Sequence, residues 1–326
     1  MNETSTSKNS YFKKSVKNFF SFKTNDKLGI LIALIVLIIV ASLLSPSFFN
    51  GKNLLNILKQ NSMMGIATIG MTLVILAGCI DLSVGTTVAI CGLIAGYLKD
   101  TSFIVIFLAV MAAGAIIGFI NGFLVANRKL EPFIVTLSMQ ITMRGVCLFV
   151  TSGGYVSKVN TFDWVGNGYI GPVPVPALIM VVMFILFSIV MTKTVFGRNV
   201  YALGGNETAA KLSGIKTEKT KVLVYILCGI LCALASLINV SRLSTAEPLA
   251  AEGLEADCIA AALVGGNSLL GGRGSVVGAF IGVLVFAILS NVFNLIGLKS
   301  AEQQIIKGII IIAAVLMSQR RKAKKA

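Results

Sequence analysis

The sequence predicts an all-α polytopic membrane protein, with about ten transmembrane helices arranged as two inverted five-helix repeats. Composition comes first: 326 residues are 56% hydrophobic and 13% charged, with mean hydropathy +0.89. Soluble domains run at roughly 45–50% apolar and about 25% charged. Second, apolar runs of about 20 residues, enough to cross a hydrocarbon core, recur along the chain. Backbone polar groups in lipid must pair within their own segment, so these runs are helices. Runs such as LGILIALIVLIIVASLL do not alternate, which removes a β-barrel. Third, nineteen of the 28 basic residues gather in four places: before residue 28, at Arg128-Lys129, between Lys193 and Lys221, and after residue 319. These segments belong on one side under the positive-inside rule, which puts both termini in the cytoplasm. The net charge of +15 is therefore a topology signal and not a nucleic-acid footprint.

Residues 1–27 are polar and basic and read as a cytoplasmic tail; Phe19, Phe20 and Phe22 beside Lys17 and Lys23 suit the interface with membrane lipid. The apolar body covers 28–318, and 319–326 form a basic cytoplasmic tail. Within the body, a first span ends near Ser45-Pro46. Further spans follow at 56–77, 82–98, 103–126 and 133–150. An external loop over 152–172 carries Tyr155, Trp164 and Tyr169, residues suited to the interface. The chain returns over 173–191 to a cytoplasmic loop at 193–221, rises over 222–240, and exposes a polar stretch at 241–255. Spans at 256–264, 276–295 and 305–317 complete the set; a re-entrant glycine-rich segment would shift the count by one. The halves echo each other. Gly118 to Asn121 followed by Glu131 parallels Ile288 to Asn291 followed by Glu302, and Ile80–Gly85 lines up with Leu254–Cys258. An odd number of spans per half makes such repeats inverted, the architecture of a central pathway between two bundles.

The loop at 193–221 is the longest polar interruption in the second half. Gly204-Gly205 are expected to break the backbone, Asn206 to cap a short helix through Ala209 and Ala210, and Gly214 to end it in a left-handed turn. A plain connecting loop is the alternative. The run Gly204-Gly205-Asn206-Glu207-x-Ala209-Ala210-x-x-x-Gly214-Ile215 resembles the coupling loop of bacterial ABC sugar-transporter permeases of the ribose type. Gly78-Cys79-Ile80-Asp81-Leu82-Ser83-Val84-Gly85 and Gly265–Gly274 resemble the same family, in the family's order. The similarity starts near Phe48. It implies a permease that works with separate ABC ATPase subunits, an extracytoplasmic solute-binding protein and a second copy of itself, in the bacterial plasma membrane. Gly205, Asn206, Glu207, Ala209, Ala210 and Gly214 then carry ATPase coupling, with Glu207 as the polar contact. The implied cargo is a monosaccharide such as ribose, moved by alternating access.

Asp81 interrupts an apolar stretch. A carboxylate at depth faces a bundle interior, a partner or water, and one reading puts it on the translocation pathway, with Ser83 and Thr86 beside it. The competing reading makes Asp81 a simple cap on the span that follows. Asn121 and Asn239 are either pathway residues or interhelical glue. Arg144, alone in an apolar span, must face a cavity, pair with an acid or snorkel. Glu247, Glu252 and Glu255 sit in an external acidic stretch, either a dock for the binding protein or solvated surface.

Six cysteines without a C-x-x-C read as small apolar fillers, and the chain has no histidine, so neither a metal site nor a cofactor is expected. Gly265–Gly274 holds five glycines but lacks the Lys-Ser/Thr ending of a phosphate loop. With no G-x-x-x-x-G-K-[ST] in the chain, ATP hydrolysis falls to another subunit, and this chain is not itself an enzyme. The competing function class is an ion-coupled secondary transporter of a small polar solute, with Asp81 in the coupling relay.

Overall fold

The long apolar runs become helices, and the computed structural model describes them over residues 34–39, 41–43 and 48–323, with side chains through residue 310 and at 312. The expected tail at 1–27 and the last three residues lie outside that description. Helical residues at 34–39 and 41–43 pack Leu34 and Ala41 with Phe48, Ile57 and Ile288. Then follow α1 (Gly51–Gln60), α2 (Ser62–Leu76), α3 (Val84–Tyr97), α4 (Phe103–Ala126) and α5 (Pro132–Thr151). A short α6 (Asp163–Asn167) precedes α7 (Val175–Lys193), α8 (Val195–Gly205), α9 (Glu207–Leu212) and α10 (Thr217–Leu243). The chain ends with α11 (Leu254–Val264), α12 (Val276–Leu295) and α13 (Ser300–Ala323), so 319–323 continue a helix.

Among the described residues, five helices are long and apolar enough to cross a membrane: α4, α5, α7, α10 and α12. Two are shorter because the chain breaks. Residues 77–83 separate α2 from α3, and 265–275 separate α11 from α12. At 15 and 14 residues, α2 and α3 reach only about 22 Å each, less than a full hydrocarbon core. The expected span at 56–77 also divides, at Asn61, whose backbone and side chain both donate to Ile57 O.

The centre of the bundle is α10. Two-thirds of its most apolar window is buried, against 17% for α5. It runs along α4, α2 and α3. Contact with α4 is backbone to backbone, because Gly114, Gly118 and Gly122 stand four residues apart and face Gly229, Tyr225 and Val222. A Cβ at Gly118 would collide with Tyr225 O. Small residues on one ridge let helices approach this closely where lipid supplies no hydrophobic driving force between them. All six cysteines are buried and unpaired, in keeping with a filler role.

At the opposite end, two segments that read as separate loops are joined. β1 (Val156–Ser157) pairs antiparallel with β4 (Thr245–Ala246), and β2 (Tyr169–Ile170) with β3 (Val173–Pro174). Ser241 Oγ, at the end of α10, accepts from Gly166 N at 2.7 Å and donates to Phe162 O at 2.8 Å, which holds α6 over the bundle.

Candidate functional site: the segment 193–221 and two helix breaks

Local chemistry explains the segment over 193–221. Thr194 Oγ1 accepts from Gly197 N, starting α8. The helix then runs through Gly204 and Gly205, so the expected break at the two glycines is displaced to Asn206, with φ −162°. Asn206 Oδ1 accepts from Ala209 N at 2.9 Å and caps α9, as its side chain dictates. Gly214, at φ +83°, reverses the chain after α9 in the left-handed region open to glycine.

Two ion pairs fasten α9 to the start of α10. Glu207 Oε2 meets Lys221 Nζ at 2.7 Å, and Lys211 Nζ meets Glu218 Oε1 at 2.9 Å. Hydrogen bonding to Glu218 holds the Lys211 ammonium above the ordinary lysine range. Ala210 turns inward and is 4% exposed, whereas Ala209 faces solvent and Leu212 is 85% exposed. Leu212 is thus a large apolar side chain left outside on a helix pinned by charges.

The three glycine motifs, scattered over nearly 200 positions, meet at one point. Gly272 N donates to Leu76 O at 2.9 Å, tying the second break to the end of α2. Gly204, in the last turn of α8, lies against both. The second break is built around Asn267, 1% exposed, whose Nδ2 donates to Ala262 O and whose Oδ1 accepts from Ser275 N, each at 2.8 Å.

In the first break Asp81 is buried, and Oδ1 accepts from Ser83 N at 2.9 Å and Ser83 Oγ at 2.6 Å. This is an Asx turn leading into α3, with the carboxyl group at a helix N-terminus. Asn121 Nδ2 donates to Ser83 Oγ at 2.9 Å, and Thr86 Oγ1 donates to Ser83 O at 2.9 Å. Asp81, Ser83, Thr86 and Asn121 thus form one cluster. Asn121 Oδ1 has no partner among the described residues, and Asn239 is buried apart from them on α10. Arg144 lies elsewhere too. It answers its isolation with backbone, donating to Pro248 O and Ala250 O.

The acidic stretch divides. Glu247 and Glu252 are exposed, but Glu255 is half-buried and accepts from Gln140 Nε2 at 3.0 Å, beside Gly85. Asp257 pairs with Lys307 Nζ of α13 at 2.8 Å. Tyr201, Tyr225 and Lys307 carry contacts that the sequence did not single out. Each is a lone polar residue whose partner is distant in the chain, and Lys307 alone carried a signal, as a charge inside an apolar run.

Residues 53–315 match the family described as branched-chain amino acid transport system / permease component. The ribose import permease protein RbsC of Escherichia coli (strain K12) is 44% identical over 298 residues, covering 89% of this chain and 93% of that protein. RbsC of Bacillus subtilis (strain 168) is also 44% identical, covering 91% of this chain and 94% of that protein. The L-arabinose ABC transporter permease protein AraH of Azospirillum brasilense is 34% identical over 306 residues, covering 92% of this chain and 89% of that protein. No solved structure matches the chain. The match takes in the segment 193–221 and both helix breaks, and the chain belongs to the permease-component family of branched-chain amino acid transport systems.

Proposed function

We infer that this chain is the membrane permease subunit of an ABC importer that moves a monosaccharide, with ribose the first sugar to test. Sustained similarity to ribose permeases carries the reading, at 44% identity over about nine-tenths of the chain. The arrangement of α9 supports it. ATPase subunits dock on the basic face around α9, with Leu212 as the apolar anchor and Ala209 beside it. Gly205, Asn206, Glu207, Ala210 and Gly214 shape and seat that helix, and ATP-driven closure of the ATPase pair tilts it.

Two copies of the chain enclose the pathway, both termini are cytoplasmic, and about ten spans form two inverted repeats. One contact supports the repeat. The start of α3 abuts the start of α11, since a Cβ on Gly85 would meet Ala251 O and Glu255 Oε2. These are the segments that align in sequence. The binding protein docks outside on Glu247 and Glu252 and the adjoining loop that carries β1, while Glu255, with Asp81, Ser83, Thr86, Asn121, Arg144 and Asn239, shapes the pathway walls.

Reconstitution with its ATPase and binding protein in liposomes tests the function. ATP-dependent uptake of labelled ribose is expected, with xylose and arabinose as comparison sugars. Uptake by the permease alone under a proton or sodium gradient would contradict the reading.

A further inference from the structure

We propose that Gly78, Gly204, Gly271 and Gly272 form a backbone bearing that hands movement of α9 to both helix breaks at once; the proposal rests on the coupling role inferred above. The bearing is made of main chain touching main chain. A Cβ on Gly271 would lie 2.7 Å from Gly78 Cα and 2.8 Å from Gly204 O. One on Gly272 would lie 2.6 Å from Gly205 Cα, and one on Gly204 would collide with Leu76 O. Gly78, Gly271 and Gly272 also hold φ of +78°, +79° and +65°, so side chains are disfavoured at all three by conformation, and at Gly271 and Gly272 by space as well.

Such contacts transmit displacement. A side-chain contact gives way when a rotamer changes, whereas touching backbones move only with their elements. The elements on each side are stiff. Tyr201 of α8 donates to Gly274 O at 3.2 Å, beside the Gly272–Leu76 bond. The loop it grips is braced internally by Asn267 and by Ser268 N donating to Arg273 O at 2.9 Å. Across the bearing, Tyr225 Oη donates to Ile80 O at 3.1 Å, and Asn121 holds Ser83. A push on α9 therefore passes through the last turn of α8 into the junctions α2–α3 and α11–α12 together. Those junctions set how α2 stands to α3 and how α11 stands to α12.

Hydrogen exchange on the wild-type permease bound to its ATPase tests this, with and without a non-hydrolysable ATP analogue. Exchange over 203–212, 77–83 and 266–274 is expected to change together, by about threefold or more. A response at 203–212 with the other two segments unmoved would overturn the bearing and leave the coupling role standing. Silence at 203–212 would overturn the coupling role and the bearing with it. In the same complex, Gly204→Ala is expected to cut sugar moved per ATP by about tenfold. Gly308→Ala, whose new methyl meets nothing within 4 Å, is the matched control. An unchanged ratio in assembled Gly204→Ala complex would also overturn the proposal.

Discussion

An arginine in an apolar helix has to find partners, and Arg144 finds carbonyls instead of an acid. Replacing it by Met would strand Pro248 O and Ala250 O without their donor. The expected cost is about 1–3 kcal/mol, read as a lower melting temperature in detergent. Arg144→Lys should recover part of the loss, since a single ammonium reaches at most one of the carbonyls well. Asn206 offers a cleaner local case. Asn206→Ala removes the cap on α9 and should weaken that helix by about 1 kcal/mol. Amide exchange over 207–212 would then quicken by about fivefold, and Asn206→Ser should restore most of the protection. The cap and the left-handed turn at Gly214 were legible in sequence because both are settled within three or four residues. Asp81 was legible as a special position but open as to role, because its Asx turn with Ser83 depends on how the chain breaks after α2.

At the scale of elements, α9 is a small lever held by charge. Sequence pointed to Glu207 as a contact for the ATPase, whereas the structure engages its carboxylate with Lys221 of the same chain. Half-exposed pairs of this kind are worth only about 0–1 kcal/mol, so their value here is geometric. Glu207→Lys should loosen α9 and reduce ATPase co-purification. The swap E207K with K221E should recover it, because the pair reforms with its signs reversed. Failure of the swap would mean that Glu207 meets the ATPase directly. Leu212→Asp should leave the melting temperature of the isolated permease unchanged, as expected for a side chain 85% exposed, while abolishing ATPase capture. The helix α8 was not legible. Gly204-Gly205 argued for a broken backbone, and only the close approach of Leu76 and Gly272 shows why glycines persist inside a helix.

For the whole molecule, hydrophobic runs were enough to place the long helices. The runs over 103–126 and 276–295 match α4 and α12 residue for residue. Pairings between distant residues were not legible. Nothing in Val156-Ser157 or Thr245-Ala246 announces a ladder, and nothing in three glycine motifs announces that they touch. Those depend on how α10 gathers α2, α3 and α4 around itself, which is a property of packing and not of any window of sequence. The same packing leaves α9 as a pinned helix with an exposed apolar tip, and the account stands or falls on what that tip meets. All six native cysteines are buried, so a cysteine placed at Leu212 can be labelled selectively by a membrane-impermeant maleimide. The account predicts labelling in inside-out vesicles only, with protection when the ATPase is bound. Labelling of Leu212→Cys in right-side-out vesicles, or labelling indifferent to the ATPase, would contradict it.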